Sequence, residues 1–326
     1  MRLDPAVAAI RLAVRRSLAD LGDQPVLVAC SGGADSLALL AATVFEGRDS
    51  PWRVVGVTVD HGLQAGSADR TEALVGQMAT IGVDETVGVR VHVEASGQGP
   101  EAAAREARYT VLEEVSERFG SAVVLLGHTR DDQAETVLLG LTRGSGGRSL
   151  AGMRPAFDRF RRPLLEISRA QTEAACAAEG LAFWTDPHNA DPAYTRSRIR
   201  TEVMPVLERE LGPGVAAALS RTAAQLRADV AALDAIAGTT YADLATNLQL
   251  PVDRLALLPD AIRSRVLRLA ALEAGAIPSD LTQGHLAAVD DLVMKWRGQQ
   301  WVDLPGSVRA TRRDDWVAFV GSATPA

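Results

Sequence analysis

Apolar and polar positions follow two periods up to about residue 212 and mainly one beyond it. Val26–Cys30 is a short apolar run rich in β-branched residues and predicts a buried strand. LALLAATVF, which follows at 37–45, reads as an apolar helix face. WRVVGVTVD predicts a second strand ending at Asp60, and TEALVGQMATIG a helix. ETVGVRVHVE predicts a third strand, with Val87, Val89, Val91 and Val93 alternating. A charged amphipathic helix over Glu101–Phe119, a fourth strand over Ser121–Gly127 and a helix over 130–142 continue the series. Such alternation means a parallel sheet with helices on both faces. RRPLLEI predicts one more short strand, and ISRAQTEAACAAEG a helix ending at Gly180. After Leu211-Gly212-Pro213-Gly214 the pattern is helical at about 215–245, 260–274 and 280–297, and the last stretch alternates at period two around turns. The predicted fold is α/β: a doubly wound parallel sheet over 1–212, then a smaller, mainly helical domain over 213–326 that ends in a β-hairpin.

Composition narrows the class. A chain of 326 residues is long enough for two domains and a sizeable core. No apolar run approaches the length of a membrane span, and the N-terminal helix carries charges throughout, so neither a membrane anchor nor a secretory signal is expected. Cys30 and Cys176 are the only cysteines and give no metal spacing, which points to a reduced, cytoplasmic setting. A net charge of −7 excludes a generally basic nucleic-acid binder. Locally the balance reverses: Arg143, Arg148, Arg154, Arg159, Arg161, Arg162 and Arg169 face only Asp158 and Glu166 across 143–169. Arg196, Arg198 and Arg200 form a second group, and Arg309, Arg312 and Arg313 a third. Arg159 is expected to pair with Asp158. Lys295 is the only lysine, so cationic chemistry here is guanidinium chemistry.

Candidate chemistry gathers just past the strand ends. Ser31-Gly32-Gly33-Ala34-Asp35-Ser36 is a glycine-rich turn between a strand and a helix, which aims backbone N–H groups and a positive helix end at one point. It lacks the lysine of a Walker loop. Asp35 beside phosphates calls for a cation between them, namely Mg²⁺. The same residues also suit a plain corner with Asp35 or Ser36 as helix cap. His128, Asp132 and Glu135 fall at i, i+4 and i+7 and would share one helix face. Thr129 with Asp132 equally fits a capping box. Asp35, Asp60 and His128 converge if the strands are parallel, because such sheets bind ligands at the carboxyl ends of their strands.

These residues resemble a family. SGGADS is similar to the PP-loop of ATP-dependent adenylating enzymes, with an adenine nucleotide alpha hydrolase-like fold. The ordered set VDHGL, EAAAREARY, GHTRDDQAETVLLGLTRGSGGRSLAGM, RPLL and DPHNADPAYTRSRIRTEVMPVLE resembles the tRNA(Ile)-lysidine synthases over about 25–210. The resemblance implies adenylation by ATP of the wobble cytidine of a CAU-anticodon tRNA(Ile), then attack by the ε-amine of free L-lysine. It implies that Ser31, Gly32, Gly33, Asp35, Ser36 and Asp60 bind ATP, with Asp35 and Asp132 on Mg²⁺. Arg108, His128 and Asp132, with Asp35, match catalytic positions, and Glu135 matches a lysine-binding one. Arg148, Arg154 and Arg196 are expected to meet the tRNA, and a homodimer is an allowed assembly. Thr129 departs from the family pattern, which has histidine or asparagine there. A tRNA thiolase would need catalytic or cluster-binding cysteines. A glutamine-dependent synthetase would need an amidotransferase domain, and a silent RNA-binding protein would not need the retained acids.

Overall fold

The computed structural model describes residues 3–60, 62, 66–91, 100–121, 123–143, 146–186 and 191–321, with backbone alone at 100–104 and 143. Val93, His61, Gly144, Ser145, Pro187–Ala190 and the side chains of Glu101 and Arg143 therefore lie outside the described residues. In chain order the first elements are α1 (Pro5–Ser17), β1 (Val26–Ala29), α2 (Ala34–Gly47), β2 (Val54–Asp60), α3 (Ser67–Ile81) and β3 (Glu85–Arg90). Then come α4 (Pro100–Phe119), β4 (Val123–Leu126), α5 (Arg130–Arg143), α6 (Gly147–Leu150), β5 (Ala156–Phe157), β6 (Phe160–Arg161) and α7 (Arg169–Ala178). α8 (Thr195–Arg198) runs through a π-helical turn, Ile199–Val203, into α9 (Met204–Glu210). The last part holds α10 (Val215–Leu244), β7 (Gln249–Pro251), α11 (Val252–Ala256), α12 (Asp260–Glu273), α13 (Gln283–Met294), β8 (Trp301–Leu304), β9 (Val308–Arg313) and β10 (Trp316–Gly321). The chain forms two compact units: Met1–Thr142 with Gly152–Ala223, and Arg143–Ala151 with Ala224–Ala326.

The first unit is built on a six-stranded sheet in the order β3-β2-β1-β4-β6-β5. β1 lies between β2 and β4 and is parallel to both, with Val26 level with Val54 and Val123. Its residues alternate between two cores: Val26 and Val28 pack with Leu37, Leu40 and α1, while Leu27 packs with Leu112, Val124 and Phe160. That explains a run with no polar position, since a parallel strand is covered on both faces. The strand order reverses between β1 and β4. The loops leaving these strands part there, and a crevice opens at their carboxyl ends. Gly127 lets the second loop come close: a Cβ there would lie 3.1 Å from both N and Cα of Ser36.

The RRPLLEI segment departs from expectation. Of its residues only Arg161 joins the sheet, at the end of β6, and turns occupy 163–166. Pro163 has no N–H to give a ladder. Arg162 N instead donates to Pro155 O (2.7 Å), closing the β5–β6 hairpin.

In the second unit, β8, β9 and β10 form antiparallel pairs, and β7 adds a fourth strand on β10. Leu250, Ala310, Val317 and Phe319 turn inward onto α12 and α13, where Val266, Leu267 and Val289 are fully buried. β7 is a three-residue strand that closes on Pro251, too short for any period to reveal. No helix among the described residues is long and apolar enough to cross a membrane.

Candidate active site

The loop after β1 is fixed from within. Gly32 takes a φ of +82°, a region that favours glycine, and Gly33 caps α2 in extended conformation. Ser36 Oγ donates to Gly33 O (2.9 Å) and accepts from Ser31 N (3.1 Å). Trp184 N donates to Gly32 O (3.0 Å), tying the segment after α7 to the loop. Ser36 and the segment after α7 thus fix the loop at the start of α2, and a helix start of this kind suits an anion.

Three carboxylates and three guanidinium groups meet beside it. Asp35 comes from α2, and Asp132 and Glu135 from α5. Arg169 begins α7, Arg196 lies on α8, and Arg200 lies in the π-helical turn. Glu135 is 1% exposed. It accepts from Arg196 Nε (3.0 Å) and from Arg200 Nε (2.7 Å) and Nη2 (3.0 Å), with Arg169 Nη1 at 3.8 Å. Asp132 Oδ2 accepts from Thr129 N (2.8 Å) and Oγ1 (2.9 Å), and its Oδ1 from Arg169 and Arg200, both at 3.2 Å. The capping reading and the site reading of Asp132 therefore both hold, one on each oxygen. Burial opposes the Asp132 charge, but Arg169 and the Thr129 N–H hold its carboxyl below the ordinary range. Asp35 is less compensated. Thr172 Oγ1 donates to its Oδ1, and Arg169 Nε stands 3.7 Å from Oδ2. Burial, aided by the Asp132 charge and opposed by Thr172 and Arg169, raises its carboxyl to about 6.

His128 does not lie on the helix with Asp132 and Glu135. α5 starts at Arg130, and His128 belongs to the β4–α5 loop, because Thr129 is bonded as the cap. Arg162 Nε donates to His128 Nδ1 (3.2 Å), so the ring keeps its proton on Nε2. Burial, with Arg162, Arg108 and Arg105 nearby and only Asp132 opposing, lowers its pKa to about 3. Burial also pushes the guanidinium of Arg108 below its ordinary range.

The other sequence candidates fall elsewhere. Asp60 closes β2, accepts from Gly62 N (2.8 Å) and pairs with Arg90 (3.3 Å). Arg148 pairs with Asp234 (2.7 Å) within the second unit, and Arg154 is exposed. Arg159 reaches Ser116 Oγ (3.0 Å) and Glu117 (3.6 Å) rather than Asp158, which takes a φ of +48° in the β5–β6 turn. Arg161 pairs with Asp20 (2.6 Å). Arg198 donates to the carbonyls of Pro192 and Ala193. In the second unit Arg309 pairs with Asp303, and Arg312 donates to Leu292 O (2.7 Å). Arg169, Arg196 and Arg200, grouped by the sequence with possible RNA contacts, instead neutralise the acids of the crevice. Thr172 had no sequence signal, and Arg162 had only its place in the arginine-rich stretch. Three acids near one loop do signal that cations must come from somewhere, since buried charges are paired.

A family model for the PP-loop domain matches residues 8–207, and one for the TilS substrate binding domain matches 250–317. The tRNA(Ile)-lysidine synthase of Thermobifida fusca is 53% identical over 312 residues, covering 95% of this chain and 96% of that protein. The chain belongs to the tRNA(Ile)-lysidine synthase family. Another lysidine synthase, from Salinispora arenicola, is 53% identical over 334 residues and 99% of both chains. Among solved structures the U34-tRNA thiolase NcsA from Methanococcus maripaludis, with its 4Fe-4S cluster, shares the fold. The TM-score is 0.57 at 19% identity, over 68% of this chain and 80% of that one. The likeness is one of fold. Cys30 and Cys176 are buried, and burial raises both thiols, Cys176 to about 12.

Proposed function

We propose that the chain is a tRNA-modifying ligase that makes lysidine at the wobble cytidine of a CAU-anticodon tRNA(Ile), consuming ATP and L-lysine. The observation that carries this reading is identity of 53% to lysidine synthases along nearly the whole chain. In the first step the cytidine C2 oxygen bonds to the α-phosphorus of ATP, and pyrophosphate leaves. In the second the lysine ε-amine bonds to C2, the C2–O bond breaks, AMP leaves and the amine loses its proton.

The crevice suits both steps. The Ser31–Ser36 loop receives the phosphates, and Arg108 and the Nε2–H of His128 offset the charge that builds on phosphorus. A magnesium ion brought with ATP would neutralise phosphate charge. Asp35 fits such an ion, since Oδ2 has only the distant Arg169 and the side chain is 24% exposed. Asp132 joins it only where Arg169 and Arg200 release Oδ1. Among the described residues no group of three His, Cys, Asp or Glu side chains is arranged for a metal. A hollow lined by Asp131, Glu135, Glu208, Arg169 and Arg200 offers both signs of charge to a free amino acid with two ammonium groups and one carboxylate. A lysine ε-amine has a pKa of roughly 10.4 in water, and acids beside it orient the ammonium and help remove the proton. The 213–326 domain would hold the tRNA body, and we place the protein in the cytoplasm with its substrates.

Transfer of labelled lysine into CAU tRNA, with ATP present and absent, tests the reading. ATP-dependent incorporation is expected. Incorporation of sulfur instead, or none at all, would overturn it.

A further inference from the structure

Around His128 a different set of arginines meets no acid among the described residues. Arg162 is 6% exposed, and its three donor positions all go to neutral acceptors. Nε donates to His128 Nδ1 (3.2 Å), Nη1 to Arg154 O (2.7 Å) and Nη2 to Tyr109 Oη (3.3 Å). Its guanidinium stands 4.4 Å from the centre of the Phe157 ring, and that of Arg154 5.8 Å from the same ring. Arg105 stands 5.1 Å from the Tyr109 ring. Tyr109, Phe157 and Phe160 pack on one another, with centroids 4.9 to 6.0 Å apart. Among the described residues none of Arg105, Arg154 and Arg162 forms a salt bridge. The acid nearest in action, Asp132, is already occupied by Thr129, Arg169 and Arg200.

A guanidinium does not give up its proton, so this charge persists. A buried cation that faces only neutral groups is unfavourable until an anion arrives. The rings fix the guanidinium planes from below. Arg105 and Arg154 are exposed and able to close on a ligand. Arginine planes interleaved with aromatic rings suit unpaired RNA, whose bases stack while its phosphates pair. ATP phosphates already have the helix end at Ser31–Ser36.

We propose that Arg105, Arg154 and Arg162, set on Tyr109 and Phe157, bind a backbone phosphate of the RNA next to the nucleotide being modified. This rests on the RNA-modifying reading above and adds where the RNA backbone is gripped. Arg162 also serves as a positioning residue, since the same side chain fixes which nitrogen of His128 carries the proton.

The test titrates a CAU anticodon stem-loop RNA and ATP separately against the full chain over a salt series. Arg105→Ala and Arg154→Ala alter exposed side chains and leave the fold intact. Each is expected to weaken RNA binding and to lower the slope of log affinity against log salt by roughly 0.7 to 0.9. ATP binding is expected to stay unchanged. Unchanged slopes in both variants would overturn the proposal, and so would weakened ATP binding with RNA binding intact. These slopes are read without catalysis, so a wild-type chain that fails to transfer lysine refutes the functional reading and leaves this result legible.

Discussion

Two groups of arginines flank the start of α5, and they differ in what they face. Arg169, Arg196 and Arg200 face Asp35, Asp132 and Glu135, charge for charge. Arg105, Arg154 and Arg162 face aromatic rings, a carbonyl and a neutral imidazole. The first group has spent its charge inside the protein. Its worth lies in fixing where the carboxylates point, because an unpaired acid so deep would protonate or drive the site open. Among the described residues the second group forms no salt bridge, and under the proposal above its charge is kept for RNA. Arginine density in a sequence therefore says little about nucleic-acid contact until the partners are known.

Breaking the paired group should have the largest effect. Glu135→Gln leaves Arg196 and Arg200 against a neutral amide. Removing one partner of a buried pair costs about 3–5 kcal/mol, and the partly exposed arginines reduce that to about 2–3 kcal/mol. Urea unfolding measures it, and lysine transfer should be lost in the same variant. A loss in stability below about 0.5 kcal/mol would mean that the pairs are not formed in solution.

Asp35 comes next, and its effect depends on pH. Its folded carboxyl stands at about 6, above the ordinary 3.8. A raised acid contributes stability that is fully present below pH 3.8 and is lost as pH rises through about 6. At pH 8 the ionised group therefore costs about 2–3 kcal/mol. Without ATP, Asp35→Asn should be more stable than the wild type at pH 8 and no more stable at pH 4, while pyrophosphate release is lost. An equal gain at both values would trace the effect to something other than the charge.

These outcomes bear on what the sequence could reveal. The loop at 31–36, the strands that end beside it and the acids of α5 were legible because their signals are local: a turn between two periods, or a spacing within one helix. The cations were not. Arg169, Arg196 and Arg200 arrive from 34 to 134 positions along the chain from the acids they pair with, on elements whose register no pattern announces. The RRPLLEI strand failed for a related reason, since Pro163 ended a two-residue pairing that period alone extends. His128 left the helix face because Thr129 took the cap.

The same distinction carries a smaller effect in the second unit. Arg312 spends its donors on Leu292 O and Val293 O and stands 4.5 Å from the Trp296 ring, on the inward side of β9. Arg313 lies one position on and is exposed, level with Trp316. Arg312→Ala should lower stability by about 1 kcal/mol without changing the salt dependence of RNA binding. Arg313→Ala should leave stability alone and flatten that dependence if this sheet meets the tRNA. The opposite assignment of the two effects would reverse the reading of this face.

The smallest effect belongs to Arg159, and it separates charge density from charge availability most cleanly. Arg159 lies three positions before Arg162, inside the stretch with the greatest excess of arginine. Its guanidinium turns to α4 instead, to Ser116 Oγ and, at 3.6 Å, to Glu117, whose side chain is 70% exposed. Such a pair is screened by solvent, so Arg159→Ala should change stability by no more than about 0.5 kcal/mol. If proximity in sequence governed RNA contact, this variant would flatten the salt slope as much as Arg154→Ala. If the partner of each side chain governs it, the slope should match the wild type. Filter binding of the two variants side by side across one salt series decides between them, and a slope lowered equally in both would count against the division drawn between the two groups.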